Sequence, residues 1–163
     1  SYSDVVALDL HTGLGHRGRL HLLTDSNDRG LHQALLGQIL DPKSDEPIYE
    51  YTPDHHEGFY TVYGGTNNLF AELAADDQRV VALTMEFGTF GHDLKAQLEG
   101  LNQAILDHQG THYGYASEAI KKEIADWTLE RSFPSDPGWR NQVVDTSKKF
   151  LTTVLGRLGS IKA

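Results

Sequence analysis

The chain has 163 residues, of which 39% are hydrophobic and 23% charged, with a net charge of -9 at pH 7 and no cysteine. The length suits one domain, 1–163, with an ordinary globular core. The acidic balance, with no Lys/Arg cluster, excludes nucleic acid and anionic membrane as partners, and the lack of cysteine excludes disulfides and thiolate metal sites. No apolar run nears the roughly 18 residues of a transmembrane helix, and no signal-peptide pattern opens the chain, so a cytoplasmic location is expected.

Residues 5–10 (VVALDL) are short, β-branched and apolar, and are followed by a glycine-rich segment. This predicts a buried strand of a parallel or mixed sheet. A buried strand so close to the first residue points to further chain upstream. Residues 19–24 read as a second strand. Residues 30–40 place Leu31, Leu35, Leu36 and Ile39 at helical spacing, stopped by Asp41-Pro42. The stretch 41–58 is polar and carries Pro42, Pro47 and Pro53, which predicts a long surface loop. Residues 59–63 are strand-like and end at Gly64-Gly65, and 67–75 suit a short helix. Residues 79–87 (RVVALTMEF) predict a second buried strand. Residues 93–108 form an amphipathic helix with Leu94, Leu98, Leu101 and Ile105 on one face. Ser117 caps a helix to about residue 130. Pro134 and Pro137 break the chain before a last helix over 139–158. Alternating strands and helices predict an α/β fold, three-layered, with helices flanking a mixed, largely parallel sheet.

Ligands of such sheets sit at the carboxyl ends of strands, where two residues stand out. His11 ends the first strand in Asp9-Leu10-His11-Thr12-Gly13. Asp9 and His11 point to the same side of a strand, so a carboxylate can orient the imidazole of a metal ligand. A hydrogen-bonded turn residue is the simpler reading of His11 taken alone. Glu86 sits in Leu83-Thr84-Met85-Glu86-Phe87, where a carboxylate among apolar neighbours is costly unless paired or functional. Burial would raise its pKa toward the range of a general base; an arginine partner at the sheet edge is the competing reading. Gly13-Leu14-Gly15-His16-Arg17-Gly18 matches a dinucleotide fingerprint, but a strand follows it and not a helix, so that reading fails. His16 and His21 follow His11 at intervals of five, which matches no ligand geometry. His55-His56 falls in the polar loop. Gly110 between His108 and His112 argues against one helical face.

The Asp9–Gly13 segment together with Thr84-Met85-Glu86-Phe87-Gly88 resembles the last two active-site segments of the zinc carboxypeptidase superfamily, in its bacterial carboxypeptidase-like branch. The Asp-Leu-His strand end is also similar to that of aspartoacylases and succinylglutamate desuccinylases. The resemblance implies that His11 is the third zinc ligand, Asp9 its outer partner and Glu86 the general base. Tyr60, or failing it Tyr63, matches a mobile substrate-binding tyrosine. It also implies two further zinc ligands and the substrate-binding arginines upstream of this chain, which would then be the C-terminal portion of a catalytic domain. The implied reaction is zinc-dependent hydrolysis of a peptide-like or N-acyl amino-acid amide bond. The implied partners are that small substrate and the N-terminal portion of the fold. The alternative is a non-catalytic binding or structural domain that keeps the fold without a complete metal site.

Overall fold

A computed structural model describes residues 3–24, 30–52, 65–91 and 93–161 of the chain. The strand-like run 59–63, with Tyr60 and Tyr63, and the pair His55-His56 lie outside the described residues. Strands β1 (Asp4–Arg17), β2 (Leu20–Thr24), β3 (Tyr49–Thr52) and β4 (Arg79–Gly88) make a four-stranded sheet in the order β1-β4-β2-β3. β1 runs parallel to β4 and β3 parallel to β2, while β2 is antiparallel to β4, so the sheet is mixed and mostly parallel. The helices are α1 (Gly30–Ile39), α2 (Thr66–Glu72), α3 (Leu94–Tyr113), α4 (Glu118–Ser132) and α5 (Pro137–Ile161).

Strand alternation divides the sheet into two faces. One carries Leu20, Leu22, Val81, Leu83, Met85 and Phe87, buried against Leu35 and Ile39 of α1 and Trp139, Phe150 and Val154 of α5. There the Tyr49 and Phe150 rings meet edge to face with centroids 5.7 Å apart. The opposite face carries Thr84 and Glu86, and α2 covers part of it through a hydrogen bond of 2.8 Å from Asn67 Nδ2 to Thr84 Oγ1. Helices on both faces make the α/β fold a three-layer one.

The structure departs from the sequence reading in four places. The stretch 41–58 is not all loop: Tyr49–Thr52 is strand β3, and Asp45 is buried, bound by Arg157 and by the Tyr49 hydroxyl at 3.0 Å. Pro137 opens α5 instead of breaking the chain, since a first helical residue needs no N–H partner. α3 continues through Gly110 to Tyr113 and stacks His108 on His112, ring centroids 6.0 Å apart. A side chain at 110 would run into the Tyr115 ring, so this glycine admits a neighbour and does not end the helix. The apolar stripe of α3 faces outward, with Leu94 at 71% exposure and Leu101 at 59%. Ser117 does cap α4, accepting from the Ile120 N–H at 3.2 Å.

Candidate active site

The site begins with strand register. At the start of the β1–β4 pair, Arg79 grips its register partner Asp4 through Nε–H to Oδ1 (2.5 Å) and Nη2–H to Oδ2 (2.8 Å). From this charged fork the ladder runs in step to His11 opposite Glu86 and Gly13 opposite Gly88. A slip of one residue would send His11 and Glu86 to opposite faces.

Glu86 is 6% exposed. Its Oε1 accepts the Leu14 N–H at 2.9 Å, and its Oε2 lies 3.7 Å from His11 Nδ1, beyond an ordinary hydrogen bond. Burial pushes the carboxyl above its usual range, and the Leu14 N–H and His11 pull partly back. The His11 side chain is 52% exposed and holds Asp9 Oδ2 at 3.1 Å on Nε2. Asp9 and His11 therefore do share a side, and Glu86 meets a histidine and a backbone amide. The site contains a raised carboxyl with one freer oxygen, beside an imidazole open to solvent.

The glycine-rich end of β1 folds over this carboxylate. Gly15 has φ 98°, a backbone region costly for any residue with a Cβ, and a Cβ there would lie 2.5 Å from the His21 ring. Thr89, fully buried, donates to the Gly13 carbonyl from N (3.2 Å) and Oγ1 (3.0 Å). Gly88 O accepts the Gly18 N–H and the Trp139 indole N–H, both at 2.8 Å. A side chain on Gly88 would run into the backbone carbonyls of Gly15 and His16. The glycines of the false dinucleotide motif thus allow β1, β4 and the His21 ring to approach closely.

The pattern of one known family extends along most of the chain: the family described as "Protein of unknown function (DUF2817)" matches residues 1–146. The chain belongs to the DUF2817 family. No curated protein and no solved structure matches it. In this DUF2817 chain the match includes His11, Glu86 and the glycine segment between β1 and β2.

A catalytic zinc is held by three protein ligands with one position open. The exposed imidazole of His11, oriented by Asp9, has the form of one such ligand. Among the described residues, no three His, Cys, Asp or Glu side chains are gathered where they could hold a metal ion. The described residues of the DUF2817 chain therefore do not by themselves make a three-ligand site.

Sequence reasoning passed over His21. Its register partner on β4 is Glu86, and its partner on β3 is Glu50, so His11, Glu86, His21 and Glu50 form one row across all four strands. Opposite residues of paired strands share a face, so the row lies on the Glu86 face. His21 is 4% exposed; its Nε2 accepts the His16 N–H at 3.2 Å, and its Nδ1 lies 3.4 Å from Glu50 Oε2. Alternation with the buried Leu20 and Leu22 already placed His21 on that face. The interval of five from His11 hid it, because β2 lies beside β4 and not beside β1.

Proposed function

We propose that this chain carries the general base and one metal ligand of a zinc-dependent hydrolase acting on a peptide-like or N-acyl amino-acid amide bond. The observation that carries this reading is the buried Glu86 beside the Asp9-oriented His11, at the carboxyl ends of two parallel strands. The resemblance of both segments to the zinc carboxypeptidase superfamily supports it. Glu86, raised by burial and held through one oxygen by Leu14, can take a proton from water on its freer oxygen and pass it to a leaving amine. Zinc, when bound, would supply an acidified water and a polarised carbonyl. His11 would be its ligand from this chain, and the other two ligands would come from upstream sequence. Tyr60 and Tyr63 remain the candidates for binding substrate.

No helix among the described residues is long and apolar enough to cross a membrane. The cysteine-free composition supports a cytoplasmic location for the enzyme.

The test is elemental analysis of this chain and of a form extended upstream, with hydrolysis of short peptides and N-acyl amino acids measured in parallel. Near-stoichiometric zinc in the extended form, lost with His11→Ala, is the expected result. Absence of zinc and of hydrolysis from both forms would overturn the reading and leave a binding or structural domain.

A further inference from the structure

The row His11–Glu86–His21–Glu50 has two halves, and the glycine segment of β1 links them. Leu14 and His16 flank Gly15, and the N–H group of each reaches a side chain of the sheet. One donates to Glu86 and the other to His21, side chains that are register partners on neighbouring strands. The His16 N–H can donate only to an unprotonated Nε2, so His21 carries its proton on Nδ1, the nitrogen that faces Glu50. Glu50 is itself held by the Arg19 Nε–H at 3.0 Å. Gly15 lies between the two donors, and only a residue without a Cβ leaves room for the His21 ring against it.

We propose that His21 is a positioning residue: oriented by Glu50, it anchors the β1 segment through the His16 N–H and so keeps the Leu14 N–H on Glu86. This rests on the reading of Glu86 as the general base, but its geometry can be tested without turnover. The glycine segment that imitates a nucleotide loop then has a role of its own. It is a clasp over the carboxylate, and its second attachment point is a histidine. An anchored Leu14 N–H occupies Oε1 and leaves Oε2 as the oxygen that exchanges protons.

The experiment is 15N NMR of this chain, paired with amide hydrogen exchange. His21 should show the Nδ1–H tautomer, with a through-hydrogen-bond 15N–15N coupling between the His16 amide and Nε2. In His21→Leu the Leu14 amide should exchange about tenfold faster or more. His21→Gln should restore its protection, because the glutamine carbonyl can accept the His16 N–H while its amide faces Glu50. Should His21→Leu not fold, Glu50→Ala takes its place. Glu50 has a side chain 40% exposed at the sheet edge, and its loss should weaken the same coupling and speed the same amide. An Nε2–H tautomer in the wild type, or unchanged Leu14 exchange in a folded variant, would overturn the proposal. The reading of Glu86 fails separately: the clasp would then behave as described while Glu86→Gln in the upstream-extended form left amide hydrolysis unchanged.

Discussion

Glu86 sits where burial works against its charge and, among the described residues, one backbone amide and one imidazole compensate. A folded-state pKa above the unfolded one means that ionising this carboxyl costs folding stability, a cost absent below the unfolded pKa and present above the folded one. Glu86→Gln removes the charge while its carbonyl can still accept the Leu14 N–H. At pH 8 it should leave thermal stability equal to the wild type or higher. In the upstream-extended form it should lower amide hydrolysis by about 10²- to 10⁴-fold. A variant less stable at pH 8 would mean that the carboxylate is held for structure. A carboxylate within the apolar run 79–87 marked Glu86 in the sequence, and the alternating strand marked Asp9 beside His11. Nothing local named Leu14 as the donor, because that contact depends on how β1 bends beyond Gly13.

The elements meet through close backbone contacts and a few strong polar ties. Gly88 and Gly91 separate two kinds of glycine. Gly91 has φ 104° and no described residue crowding a Cβ there, so Gly91→Ala should cost about 1–2 kcal/mol from backbone conformation alone. Gly88→Ala would drive a methyl into the Gly15 and His16 carbonyls at the strand crossing. Overpacking against backbone that cannot swing aside should cost about 3 kcal/mol or more. Urea unfolding of the two variants would show the order, and equal midpoints would contradict it.

Asp45 fastens the turn after α1 to α5. The Arg157 guanidinium holds its carboxyl below the usual carboxylate range despite burial, with help from the Tyr49 hydroxyl. This stabilisation is fully present above the unfolded pKa of about 3.9 and is lost as pH falls through the lower folded value. Arg157→Ala, which strands the buried carboxylate, should cost about 3 kcal/mol at pH 7, and Asp45→Asn should flatten the acid limb of the stability profile. Thermal melts from pH 7 down to pH 2 would check both. In the sequence, α1, β4 and α5 were legible because their apolar spacing is long and regular. β3 was not, since Tyr49–Thr52 is a short edge strand between prolines and gains its identity only from pairing with β2.

On the scale of the whole molecule, one side of the sheet is a closed core, while α3 and α4 carry apolar side chains to the surface. Leu98 is 56% exposed and Leu101 is 59% exposed. Changing both to Gln should alter unfolding free energy by no more than about 0.5 kcal/mol each, as at ordinary surface positions. Leu35→Ala, in the sheet-facing core, should cost about 2–5 kcal/mol. A large loss from the α3 pair in denaturant unfolding would mean that the helix packs in solution through that face. The sequence showed that α3 has an apolar stripe, but periodicity does not say what a stripe faces.

The row across the sheet also bears on how the chain reaches its native state. Its members come from positions 11, 21, 50 and 86, and the pairing that joins β1 to β4 closes a long stretch of chain. Contacts of such sequence separation pay their loop-closure entropy before any packing rewards it, and folding dominated by them is slow. Local helices can form early, yet Glu86 has neither Leu14 nor His11 until the central strand has docked. The protection of the Leu14 amide during refolding therefore times the docking of β1 on β4, the step that brings together residues from the two ends of this long loop.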